Sequence, residues 1–94
     1  MKPDQVLKAS QEAIGQEVRG ETVILDLASE EYFSLDEVGT RVWQLIQEPI
    51  SVGSLKNQLL EEFEVDESTL ESDLRELIDV LVSEGLASSE SAGD

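Results

Sequence analysis

Between Thr22 and Ile46 the hydrophobic repeat of the chain switches from two residues to between three and four, and this switch constrains the fold more than any other feature. Thr22-Val23-Ile24-Leu25-Asp26-Leu27 alternates, with Val23, Leu25 and Leu27 on one face and Ile24 adding apolar surface to the other. That pattern predicts a central strand. Ala28-Ser29-Glu30 turns the chain into Glu31-Tyr32-Phe33-Ser34-Leu35, a strand that sends Phe33 and Leu35 one way and Tyr32 the other. Asp36 then suits the N-cap of a helix running to about Ile46, with Val38, Val42, Leu45 and Ile46 on one stripe and Pro49 as its stop. Gly39 inside that helix costs about 1 kcal/mol relative to Ala, which predicts a close neighbour there.

The flanking segments complete an α+β pattern. Glu12–Val18 reads as a strand with Ile14 and Val18 on one face, and Arg19-Gly20-Glu21 as the turn into the central strand. The three strands form an antiparallel meander whose outer edges carry unpaired backbone groups; Val6–Ala9 is a candidate for a further short piece. Ser51 caps a second helix that carries Val52, Leu55, Leu59 and Phe63 and ends near Glu64, with Ile50 and Leu55 placed as a hydrophobic staple. A third helix begins near Asp66 or Ser68 and ends at Gly85, a residue suited to the left-handed terminal position. Leu70, Leu74, Leu77, Ile78 and Leu81 form its apolar face. Val80 and Val82 widen that face on both flanks, beyond what packing on one neighbour requires. A meander followed by three helices, the last two joined by a short turn, is similar to a winged helix-turn-helix. Ser88–Asp94 is small, polar and acidic, and reads as a disordered tail.

Composition removes whole classes of function. The 94 residues suffice for one small domain. With neither Cys nor His, the chain has no disulfide framework, thiolate nucleophile, imidazole base or ordinary zinc set, so no metal, cofactor or catalytic site is expected. Six basic residues against 22 acidic ones leave a formal net charge of -16, which repels nucleic acid and attracts cationic partners. The last helix carries Glu67, Glu71, Asp73, Glu76, Asp79 and Glu84 against Arg75 alone, the reverse of a DNA-recognition helix. No apolar run approaches the roughly 20 residues that cross a bilayer, so the expected location is the cytoplasm, without membrane association.

Three pieces of the sequence, taken in order, resemble the PqqD-like family of precursor-peptide recognition elements. These are Thr22–Leu27 with Glu31–Leu35, then Leu35-Asp36-Glu37-Val38-Gly39-Thr40-Arg41-Val42-Trp43, and the closing Leu77-Ile78, Leu81-Val82, Gly85-Leu86 pattern. Together they span about Ile14–Leu86, so residues 1–87 are read as one such domain. Gly39 and Trp43 are more similar to the discrete domains of lasso-peptide clusters than to the proteins of pyrroloquinoline quinone synthesis. The resemblance implies a non-catalytic protein, monomeric when free, that binds the leader of a ribosomally made precursor peptide as an added strand and presents it to a leader peptidase or other biosynthetic enzyme. A peptide chaperone for pyrroloquinoline quinone synthesis is the alternative within the family.

The implied site is the edge of Glu31, Tyr32, Phe33, Ser34 and Leu35, facing the last helix. The sequence is compatible with it, since strand addition needs an open edge and pockets for alternate side chains. Leu74, Leu77, Ile78 and Leu81 are candidates for an apolar floor, and Asp73 and Glu76 for contacts to Lys or Arg of the leader. Periodicity does not tell which flank of the helix faces the groove. Taken singly, Phe33, Leu35, Leu74 and Leu81 also suit a plain core, Trp43 suits packing, and the acidic residues suit a solvated face. From another class, an acyl carrier protein is also small and acidic, and Ser34-Leu35-Asp36 precedes a helix. Against that reading, Phe33 stands where the carrier motif has Asp, and strands do not fit a four-helix bundle.

Overall fold

The structure, a computed structural model, describes residues 2–91, and two three-stranded antiparallel sheets with three helices account for most of them. In chain order these are β1 (Gln5–Ala9), β2 (Ala13–Val18), β3 (Glu21–Asp26), β4 (Tyr32–Leu35), α1 (Glu37–Leu45), β5 (Ile50–Ser51), α2 (Val52–Glu62), α3 (Glu67–Ser83) and β6 (Ala87–Ser91). The meander is β2-β3-β4, with β3 central as its alternation predicts. Arg19 and Gly20 turn β2 into β3 with φ of 55° and 82°; two successive positive φ values are what a tight type I′ hairpin needs.

The second sheet, in the order β5-β1-β6, is additional to the expected meander. Val6–Ala9 does form a strand. Residues 88–91, expected to be a disordered tail, instead pair along β1 from Lys8↔Ser88 to Gln5↔Ser91. Strand pairing is made by backbone groups, so a Ser-rich segment with no apolar signal adopts it once an open edge lies alongside. The remaining residues of the predicted tail, 92–94, lie outside the described residues.

The buried face of β3 also differs from the more apolar one. Thr22, Ile24 and Asp26 point into the core, while Leu27 is 50% exposed and Val23 lies at the surface. Asp26 is tolerated inside because its carboxylate accepts from the Ala28 N–H at 3.0 Å and from the Ser29 hydroxyl at 2.9 Å. Trp43 of α1 lies against β2 at Gly15, where an added Cβ would collide with the indole. That contact makes the tryptophan a packing residue. Replacing Gly15 by Ala should therefore destabilise the domain by about 1–3 kcal/mol, the usual range for overpacking against a rigid ring. Urea unfolding that shows no change would contradict this packing.

The helices begin and end as their sequences suggest. Asp36, Ser51 and Asp66 cap them by accepting from the backbone N–H of Gly39, Ser54 and Thr69. At the end of α3, Gly85 takes φ 74°, Gly85 N–H donates to Val82 O at 3.1 Å and Leu86 N–H to Leu81 O at 2.8 Å. This is a Schellman motif, and it folds Leu86 back beneath Leu81. Arg41 ties α1 to α2 through a two-pronged pair with Glu62, at 2.7 and 3.0 Å. Lys56 ties α2 to α3 through Glu67 and Glu71.

Hydrogen bonding from Arg41, then from Gln58, holds the Glu62 carboxyl below the usual carboxylate range. A lowered folded value means that the pair's contribution is present above the unfolded value and is lost as pH falls through the folded one. The urea midpoints of the wild type and of Glu62→Gln should differ at neutral pH and converge as the pH drops below the ordinary glutamate range.

Candidate functional site

The edge of β4 is one of the two edges of the meander that no strand covers among the described residues, the other being that of β2, and its polarity follows from the turn before it. Asp26 N–H donates to Glu31 O at 2.9 Å, and Glu30 N–H donates to Asp26 O at 2.8 Å. One residue of β3 thus opposes two on the other strand, a bulge that needs a left-handed residue at Glu30, whose φ is 62°. Beyond the bulge the register is Leu25↔Tyr32, Ile24↔Phe33, Val23↔Ser34 and Thr22↔Leu35. Hydrogen-bonded and non-bonded pairs alternate in an antiparallel ladder. Phe33 and Leu35 therefore spend their backbone groups on β3, and the N–H and C=O of both Tyr32 and Ser34 point to the outer edge. No strand covers that edge among the described residues.

Beside the edge lies an open groove of about 640 Å³. β4 and the start of α1 form one wall with Phe33, Ser34, Leu35, Asp36, Val38 and Gly39. The other wall is Val65 and the near flank of α3, with Thr69, Asp73, Glu76, Leu77 and Val80; Leu70, Leu74, Leu81 and Leu86 complete the lining. The helical period explains this division. At about 100° per residue, Leu70, Leu74, Ile78 and Leu81 share one stripe, and Thr69, Asp73, Glu76, Leu77 and Val80 occupy the adjoining arc towards β4. Val82 falls on the opposite flank. The extra width of the apolar face thus serves the groove on one side. Gly39 is narrow for a local reason: a Cβ there would lie 3.1 Å from Leu35 Cβ and 3.3 Å from the capping Asp36 oxygen.

Most of the residues expected at the site converge here. Phe33, Ser34, Leu35, Asp73, Leu74, Glu76, Leu77 and Leu81 all line the groove. Ile78 does not: it is 4% exposed and belongs to the core. Tyr32, 71% exposed, turns its side chain to the opposite face of the sheet and brings only its backbone to the edge. Glu31 uses its carbonyl in the bulge. Sequence reasoning missed Val65, Thr69, Leu70, Asp36, Val38, Gly39, Val80 and Leu86 as lining residues. Stepping back from Val80 through Leu77 and Asp73 by helical spacing reaches Thr69, so part of that wall carried a signal; Val65, ahead of the helix, carried none. Ser34 lies within a strand, which removes the acyl-carrier reading of Ser34-Leu35-Asp36.

The polar groups of the site suit binding, and their ionic members are all of one sign. Asp73 and Glu76 are exposed on the rim and join none of the ion pairs among the described residues. No group of three or more Asp or Glu able to hold a metal occurs among those residues, nor any helix long and apolar enough to cross a membrane.

The fold and site define a class: a small α+β domain whose meander presents its β4 edge beside a helix-walled groove. Over residues 21–87 the sequence matches the family described as Coenzyme PQQ synthesis protein D (PqqD), and the chain belongs to that family. A solved structure described as TbiB1 in complex with the TbiA(beta) leader peptide is 32% identical, with a TM-score of 0.77 over 93% of this chain and 99% of that one. Another, described as lasso peptide synthetase B1 complexed with the leader peptide, is 24% identical, with a TM-score of 0.74 over 87% of this chain and 96% of that one, and bears on the fold alone. No curated protein is a significant match.

The alternation along β4 is directly measurable. In native-state hydrogen exchange the amides of Phe33 and Leu35 should be protected and those of Tyr32 and Ser34 should exchange freely; the reverse pattern would put the ladder one residue out of register.

Proposed function

We propose that this protein holds the leader of a ribosomally made precursor peptide as an added strand on β4, with alternate leader side chains in the groove against α3. The observation that carries this is the pairing of two features. Among the described residues the outward backbone groups of Tyr32 and Ser34 have no strand partner, and an apolar groove opens on the side where every second side chain of an added strand would fall. TbiB1, which is similar along nearly its whole length, is described in complex with a leader peptide, and that supports the same use of this fold here.

The chemistry of such a protein is non-covalent. Backbone pairing offsets part of the entropy lost when a disordered leader becomes extended, and holding the leader raises its effective concentration at an enzyme bound to the same carrier. A leader peptidase or modifying enzyme of lasso-peptide type is the partner this reading calls for. With neither His nor Cys in the chain, cleavage and cyclisation are assigned to those partners, and the cytoplasm, where the precursor is translated, to the encounter.

Ser34→Pro tests the geometry sharply. Its N–H faces outward, so proline removes a donor to the incoming strand and none from the ladder with β3. The variant should keep its fold, as judged by circular dichroism, and bind its precursor leader at least about tenfold more weakly, the loss expected when one backbone hydrogen bond goes and a ring blocks the edge. With the wild type, amide shifts on leader addition should concentrate in residues 31–35 and 69–81. Shifts confined to Val52–Phe63 would place the leader on α2 and overturn the assignment.

A further inference from the structure

The α3 side of the groove changes in chemistry along its length, and from this we infer the class of leader sequence it selects: an extended five-residue segment reading apolar, any, basic, any, apolar. This inference rests on β4 being the acceptor edge. The flank of α3 from Thr69 to Val80 rises roughly 16 Å at 1.5 Å per residue, the length of about five residues of strand at 3.4 Å each. Only every second side chain of an added strand shares the face of Phe33 and Leu35, so three of the five enter the groove.

What those three meet is ordered. One end of the α3 wall is apolar through Val65 and Leu70, and the other through Leu77 and Val80, with Leu81 and Leu86 alongside. Asp73 lies between them, with Glu76 one turn further on, and neither joins an ion pair among the described residues. Asp36, the third acidic residue of the lining, is already engaged with the Gly39 N–H. Among the described residues no Lys or Arg lines the groove. An acidic side chain at the middle position would face two carboxylates without a counter-charge, whereas Lys or Arg reaches them with its stem along the apolar walls. The pattern reads the same in either direction, so it holds whether the peptide runs parallel or antiparallel to β4.

A library of random nine-residue peptides displayed on phage and selected on the immobilised protein tests this without knowledge of the natural precursor. Enriched peptides should share the apolar, any, basic, any, apolar spacing and should shift the Tyr32 and Ser34 amides of labelled protein. Replacing the central basic residue by Glu should weaken binding by about tenfold, and selection on the Asp73→Lys, Glu76→Lys double variant, altered only at exposed positions, should enrich acidic residues at the centre instead. Enriched peptides that shift Tyr32 and Ser34 yet show no preference for a basic centre would overturn the pattern and leave the peptide-holding function standing. Selection that yields no peptide acting on this edge would overturn both.

Discussion

The seating of α3 is the constraint on which the rest depends. Leu70, Leu74, Ile78 and Leu81 fasten the helix to the core, and each fully buried side chain of this size contributes about 1.5–3 kcal/mol. Because that stripe is nearly on the axis of the apolar face, it leaves the adjoining arc hanging over the space next to β4. The Schellman turn reinforces the arrangement by returning Leu86 beneath Leu81, so the helix end that borders the groove is tied down by backbone as well as by packing. Were α3 rotated by a single residue, about 100°, the groove would close or the core would lose its largest contributors.

An open strand edge is ordinarily a hazard, since it offers a template to any other extended chain. Here it is limited in several ways. β4 is four residues long and exposes the backbone groups of only two of them. The bulge at Glu30 ends the strand on one side, and the capped start of α1 ends it on the other. The net charge of -16 keeps copies of the chain apart while leaving a basic extended peptide attracted. The same acidity that argues against nucleic acid is thus consistent with discrimination between self and ligand.

The elements were legible in the sequence where a local rule sets them. The caps at Asp36 and Ser51, the turn at Arg19-Gly20 and the stop at Gly85 each name a backbone geometry that few residues satisfy, and the structure places them there. The facing of β3 was not legible, because Val23, Leu25 and Leu27 outweigh Thr22, Ile24 and Asp26 in hydrophobicity and only the position of α1 decides which set is covered. The Asp26 side chain finds its partners in the turn that follows, so its burial leaves no trace in the alternation. The strand at 87–91 was hidden for a related reason: its pairing is with residues more than 75 positions away, and composition alone suggested a tail. At the site, the width of the α3 face announced a second contact, but its side was set by three-dimensional placement. Ile78 and Leu77 are neighbours in sequence, yet one serves the core and the other the groove.

The pairing of β1 with β6 has a kinetic meaning. The meander joins residues close in sequence, whereas the second sheet must bring Gln5 beside Ser91, and closing so long a loop is entropically the most demanding step of assembly. The edge of β4 can therefore form on local contacts alone, while the strand that follows α3 finds its partner only when residues 5–9 and 87–91 meet. Loop-closure entropy alone would therefore order the β4 edge ahead of the groove beside it.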